Sequence, residues 1–460
     1  MNPRLQILRQ ARAGSLERAW TLFEGSELAS ATGDPAALTL KARLIKDRAK
    51  RHIGVERMRL FAESGAVYEQ AAQIRPASYP LINAASLALL AGREDRSRKL
   101  AGDVLALVED HPEEAETPYW RAATRAEALL LLGDLPGARA AFRSAISAAP
   151  RAWEDHAATI GQFELVCAEL DCDARWLDQL RPPRSVQFTA LMGCDFDDRQ
   201  VQGQIAGWLE QENAGFGYGA IAAGGDIWIA EALLAKGAEL HVVLPCPADI
   251  FRSGSVVAVD PAWAPRFDRL IEGATSVTEL ANSSTLCRAS VRLANAVALG
   301  LARQNARKLQ SEALHLRLGD RTEQAAPAVG GEDVRAATLT APRQDNLDRL
   351  ALPGPDEPVC WAKLAGADAP VELPDPAAIW AEIETGEAPV VVDYVAGEDA
   401  EDRELVLDRL STLANFAQEG QVLATQEAAF SLLAGDPSRR VEQLGDLRGR
   451  MGQFPFYAVA

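Results

Sequence analysis

A chain of 460 residues exceeds what one ordinary core holds, so two to four domains are expected. Apolar residues at 48% and charged residues at 24% describe a globular protein, and no run of 18 apolar residues offers a membrane span. The formal charge of −18 repels phosphates and argues against nucleic acid as a partner.

The N-terminus, "MNPRLQILRQARAGSLERAW", reads as a polar amphipathic helix with no signal-peptide pattern, so a cytoplasmic protein is expected. The six cysteines (Cys167, Cys172, Cys194, Cys246, Cys287 and Cys360) are scattered without metal-ligand spacing. They read as structural thiols in a reducing compartment, and no metal site is expected.

Residues 1–180 are rich in Ala, Leu, Arg and Glu at helical spacing, with prolines at segment ends. In "LLLLGDLPGARAAFRSAISAAP" (Leu129–Pro150), Gly133 and Asp134 separate two helices. Ala138, Phe142 and Ala145 then share one face, small where a neighbouring helix must approach and large where a gap must be filled. Pro150 stops the second helix. This stretch resembles the second half of a tetratricopeptide repeat. "GSLERAWTLFEGS" repeats the Gly14, Ala19 and Phe23 positions, and "LLAGREDRSRKLAGDVLAL" keeps Gly92 and Ala101 with Ser97 in an alanine position. A helical bundle without a superhelix is the alternative. Either arrangement presents a surface for a protein partner.

"RPPRSVQFTALMG" (Arg181–Gly193) changes the pattern: two prolines end the helical region and "SVQFTALM" reads as a buried strand. An amphipathic helix, a glycine-rich connection, the helix "DIWIAEALLAKG" and the strand "AELHVVLP" follow. That order predicts a Rossmann-like parallel sheet over residues 184–312. Gly215, Gly217, Gly219, Gly224 and Gly225 permit close approach of a phosphate to a helix start, and Asp226 is placed to cap that helix. The glycine spacing is not the dinucleotide fingerprint, so tight turning and ligand binding both stay open.

Gly225-Asp226, "EALLAKG" and "VVLP" are similar to motifs of the Rossmann-like superfamily that unites DNA-processing protein A and the Lonely Guy phosphoribohydrolases. More narrowly, the region resembles a bacterial version fused behind helical repeats and often ahead of a class III nucleotidyl cyclase. The "DIFRSGSV" loop and Trp263, Arg266 and Phe267 belong to the same pattern. The resemblance implies a nucleotide ligand whose phosphate meets Arg252, Ser255 and Arg266. The Gly-His pair after the first strand is replaced by Ala190 and Leu191, and the hydrolase segment Pro-Gly-Gly-x-Gly-Thr is absent, which argues against hydrolysis.

Residues 313–357 are polar with dispersed Pro and Gly and read as a linker. Residues 358–460 then alternate strand and helix and close in a hairpin turning near Gly449–Gly452, which predicts a small α+β domain. Gly420, Val422, Thr425, "QLGDLRG" and Tyr457 resemble the end of a class III cyclase domain. Laid on the first strand of such a domain, "VCWAKLAG" puts Lys363 where the first metal-binding aspartate belongs, and an ammonium repels a divalent ion. A gap-free count back from Gly420 puts Asp408 and Thr412 at the Asn and Arg positions, with Arg409 and Asn415 close by.

The expected fold is therefore multidomain α plus α/β: a helical-repeat array, a central Rossmann-like parallel sheet and a small C-terminal α+β domain. The expected function is a non-catalytic regulator that binds a protein through its repeats, senses a nucleotide centrally and uses a dead cyclase-like domain for pairing, with itself or with another cyclase-like domain. Two alternatives stand beside it. One is a scaffold with no small-molecule ligand. The other is a nucleotide-processing enzyme with Glu231 or Asp226 as acid/base.

Overall fold

In the computed structural model, helical periodicity between Pro3 and Glu169 becomes nine helices among the described residues. These are α1 (Pro3–Arg12), α2 (Leu16–Glu24), α3 (Pro35–Ala49), α4 (Gly54–Ile74), α5 (Ser78–Leu90), α6 (Glu94–Asp110), α7 (Pro118–Leu131), α8 (Leu135–Ala148) and α9 (Trp153–Glu169). The structure describes residues 3–12, 16–111, 117–281, 283–320, 334–342, 352–364, 367, 369–373, 389–397 and 399–460. They fall into two units, 1–182 and 183–460.

Local chemistry sets the helix ends of the first unit. Asp34 caps α3 by accepting from the Ala36 amide at 2.9 Å, Thr117 caps α7 from Trp120 at 3.2 Å, and Asp134 caps α8 from Gly137 at 2.9 Å. Each cap is followed by a proline in the first turn, where a missing N–H leaves no bond unmade. Gly92 (φ +73°) and Gly133 (φ +84°) turn the chain between α5 and α6 and between α7 and α8. Ala138, Phe142 and Ala145 are all fully buried, and Phe142 packs on Phe163 with ring centroids 5.3 Å apart. Ala19 and Phe23 of α2 and Ser97 and Ala101 of α6 are buried too, while Gly14 lies outside the described residues.

The second unit contains two sheets. The first has the order β4-β3-β2-β1-β5-β6, formed by β1 (Arg184–Ala190), β2 (Ala214–Gly219), β3 (Glu239–Leu244), β4 (Ser276–Glu279), β5 (Ala313–Asp320) and β6 (Arg335–Ala341). All its pairings are parallel. Helices α10 (Arg199–Gln211), α11 (Gly225–Ala235), α12 (Ala248–Arg252), α13 (Ala264–Gly273) and α14 (Arg288–Lys308) connect the strands. The chain steps outward from β1 to β4, then α14 carries it back to β5 on the far side of β1. That reversal places a topological switch point between β1 and β5.

Two sequence expectations change here. The glycine-rich connection is itself a strand, β2, and the sheet continues through β5 and β6, so residues 313–320 and 335–341 do not belong to a linker. Gly217 is needed because a Cβ there would lie 2.2 Å from Leu233 Cδ1 on α11, and Gly215 because its Cβ would meet Pro183 at 2.3 Å. These glycines let side chains cross the strand closely.

The second sheet has the order β11-β12-β10-β9-β7-β8, from β7 (Val359–Leu364), β8 (Val371–Leu373), β9 (Val390–Val395), β10 (Val422–Thr425), β11 (Val441–Arg448) and β12 (Gln453–Val459). Among the described residues, only β9 and β10 run parallel in this sheet, joined across α15 (Ala400–Ala414). The β11–β12 hairpin turns through Gly449 and Gly452, whose N–H···O bond measures 2.8 Å. Helix α16 (Gln426–Gly435) packs on α14, so α14 serves both sheets. At Gly300 of α14 an added Cβ would sit 2.0 Å from the Phe430 carbonyl oxygen.

Candidate functional site

The carboxyl ends of β1, β2 and β3 open into a cavity of about 130 Å³, on the β2 side of the switch point. Its walls come from β1 (Phe188, Ala190), from α12 and the turn after it (Phe251, Ser255) and from α14 (Val291, Asn295). Beyond β1, the segment through Leu191 and Gly193 passes over the start of α11. Gly224, at φ +120°, makes that passage, since a Cβ there would lie 2.9 Å from the Leu191 carbonyl. Residues 253–257 form a π-helical turn that directs the Ser255 carbonyl to the Ala223 amide at 3.0 Å.

Asp226 lies in the first turn of α11 and lines the cavity, 8% exposed. Its Oδ2 accepts from the Ala222 amide at 3.3 Å, and its buried Oδ1 has no hydrogen-bond partner. Burial pushes the Asp226 carboxyl up to about 8, against the pull of the Ala222 and Ala190 amides. At neutral pH the group therefore keeps its proton and presents an O–H donor. An unpaired donor in an apolar chamber is costly unless something occupies the chamber and accepts it.

The structure brings Asp226 and Ser255 together at this cavity and separates the other expected residues from it. Gly215, Gly217 and Gly219 lie within β2 rather than in a phosphate loop. A Cβ at Gly225 would meet Ala190 Cβ at 2.6 Å, and its amide donates to Leu191 O at 3.2 Å. With Ala222 given to Asp226 and Ala223 to Ser255 O, three amides around this helix start already have protein acceptors. A phosphate cradle needs such amides open.

The two arginines expected on phosphate are likewise committed elsewhere. Arg252 forks onto Asp268, with both bonds at 2.8 Å, which raises the guanidinium and holds the Asp268 carboxyl below its usual range. Arg266 forks onto Glu231, donates to Phe196 O at 2.9 Å and stacks over Trp263 at 4.5 Å. Glu231 is thus a partner for Arg266. His241 on β3 stacks on Tyr218 at 4.6 Å and shares a hydrogen bond with Ser276 Oγ at 2.8 Å, a satisfied residue of the sheet. Asn295 went unread in the sequence, although a polar residue on the apolar stripe of Val291, Ala294 and Ala298 was the available signal.

In the C-terminal sheet, Lys363 stands on β7 opposite Val391. Asp408 accepts from the Arg450 and Met451 amides at 3.2 and 3.0 Å, bracing the β11–β12 turn, and Thr412 Oγ1 bonds back to Asp408 O. The gap-free count thus lands on surface bracing. The neighbour Arg409 is the buried cation, forked onto Asp393 of β9 at 2.7 and 3.0 Å, with Thr425 donating to the same carboxylate. Among the described residues no three His, Cys, Asp or Glu side chains cluster as metal ligands.

The first unit holds its own polar cluster across α3, α5, α7 and α9. Lys46 Nζ donates to Asn83 and Gln162, each at 3.1 Å, while Ser86 donates to Glu127 at 2.5 Å. Burial pulls Lys46 down to about 8 and pushes Glu127 up. No helix among the described residues is long and apolar enough to cross a membrane.

No family model and no curated protein matches this chain. Among solved structures it is similar to an O-GlcNAc transferase variant from Thermobaculum terrenum, at 11% identity and a TM-score of 0.21, over 66% of this chain and 58% of that one. The chain spans less than two thirds of that protein's length, and so distant a likeness carries no argument.

Proposed function

We propose that this chain is a regulatory adaptor whose helical array docks a protein partner and whose α/β unit senses a small molecule. The observation that carries the reading is the orphaned Oδ1 of Asp226 inside the cavity at the carboxyl ends of β1, β2 and β3. Open parallel sheets take their ligands at that place in the fold. The array supplies a docking surface: Ile53 and Val55, 87% and 85% exposed, stand together at the start of α4. The resemblance of residues 358–460 to a cyclase domain, with Lys363 in a metal-ligand position, favours regulation and pairing over catalysis.

The test uses the full chain. A ligand at 100 times its Kd adds ~2.7 kcal/mol of stability, so a thermal-shift panel of nucleotides and small neutral metabolites reads sensing directly. Ala294→Leu, which fills the cavity, is expected to abolish any shift. Ile53→Asp with Val55→Asp is expected to keep the circular dichroism spectrum and lose the partner that wild type captures. No shift with any compound leaves a scaffold, a reading favoured by the amides around α11 being already bonded. Unchanged capture by the double variant removes this docking surface.

A further inference from the structure

We propose that the Asp226 cavity takes a compact uncharged ligand, about one ring in size, that offers a hydrogen-bond acceptor such as an amide carbonyl to Asp226. The proposal rests on the sensing role argued above and adds the chemistry of what is sensed.

Size comes first. An engineered protein cavity of roughly 150 Å³ admits benzene, so a chamber of about 130 Å³ holds a single ring or its equivalent. A whole dinucleotide does not fit in it. Phe188, Phe251, Val291 and Leu352 supply apolar walls for such a body.

Charge comes second. Among the described residues no lysine or arginine lines the cavity, and Arg252 and Arg266 are paired outside it. An anionic ligand would enter an apolar chamber without a counter-charge, which costs more than its contacts return. A cationic ligand would require Asp226 to ionise where burial holds its proton in place. Among the described residues, the elements around Asp226 bring no other ionisable side chain to the cavity: β1 presents Ala190, the loop before α11 presents Ala222, α14 presents Asn295 and the π turn presents Ser255.

Hydrogen bonding comes third. Oδ2 is occupied by the Ala222 amide, so the carboxyl proton belongs on Oδ1, the atom left without a partner. A neutral carboxylic acid held this way donates one bond to a ligand acceptor. Ser255 and Asn295 stand on the same walls for a second polar group.

Three probes of one shape and three charges test this: benzamide, benzoate and benzamidinium, titrated into the full chain at pH 7 by calorimetry. Benzamide is expected to bind and the two ions are not. Its affinity is expected to fall about tenfold per pH unit above 8, as Asp226 loses its proton. Asp226→Asn keeps a donor of the same shape, so it should retain binding and lose that pH dependence. Ala294→Leu should bind none of the three. Tighter binding of benzamidinium with proton release, or tighter binding of benzoate, overturns the proposal. So does failure of all three at millimolar concentration, or benzamide binding that survives Ala294→Leu. Should the probes fail while a nucleotide still shifts the melting temperature, the sensing role stands and only the ligand class falls.

Discussion

Asp226 and His315 are both buried in the α/β unit, and burial acts on them with opposite signs. Burial takes Asp226 up to about 8 from 3.8, so the folded chain binds more protons than the unfolded one between those values. Its contribution is fully present below pH 3.8 and is lost as pH rises toward 8. His315, bonded to Gln187, is pulled down from 6.5 to about 4 by burial and then by Arg317. There the unfolded chain binds the extra proton, so stability rises with pH across that window. The two slopes nearly cancel from pH 4 to 6.5, and Asp226 dominates from 6.5 to 8. Comparing wild type with Asp226→Asn removes the histidine from the difference. At pH 7 the variant should be more stable by up to about 4 kcal/mol, and the gap should close as pH approaches 4. Urea denaturation at pH 4.5, 6 and 7.5 reads this, and a gap that ignores pH means the carboxyl is not desolvated.

Between elements, a tight constraint lies where α14 crosses α16. Gly300→Ala puts a methyl 2.0 Å from a backbone oxygen that cannot rotate away, so the helices must separate. A loss of roughly 3 kcal/mol is expected, measured by chemical denaturation. Gly207 of α10 is exposed with open space around it, and Gly207→Ala should gain about 1 kcal/mol from helix propensity alone. Equal effects at the two sites mean the α14–α16 approach is looser than described. The same contrast explains what the sequence could announce. Ala138, Phe142 and Ala145 were legible because a helical face repeats within one turn of chain. The hairpin at Gly449–Gly452 was legible because its strands are adjacent. Strand β2 was not, because alternating glycine lowers strand propensity and its reason, Leu233 crossing Gly217, lies on another element. Strand β6 was taken for linker because four of its seven residues are exposed and only Ala341 is fully buried, which leaves a weak apolar face of Ala337, Leu339 and Ala341. At the site, Asp226 and Ser255 were nameable. That Arg252 and Arg266 face Asp268 and Glu231 depends on helix pairing that spacing does not encode.

For the whole molecule, the deciding feature is that each unit has its own core. The cluster around Phe61, Tyr119, Phe142 and Phe163 belongs to residues 1–182, and the cluster around Phe188, Trp228, Phe251 and Trp263 belongs to residues 183–460. Each cluster lies wholly within one unit, so cooperativity is expected within each unit. Differential scanning calorimetry of the full chain should therefore resolve two transitions. Phe142→Ala empties a fully buried ring site against Phe163 and Trp176, a change of about 3–5 kcal/mol, and should lower one transition alone. Asp226→Asn at pH 7 should raise the other alone, because its effect is confined to the sheet with the cavity. The pair of variants assigns each transition to its unit without truncating the chain. A single transition displaced by both variants would mean that the units unfold as one cooperative body. In that case occupancy of the cavity would be felt energetically by the helical array. Two separately displaced transitions would instead require any signal from cavity to partner to travel through a change in the folded state.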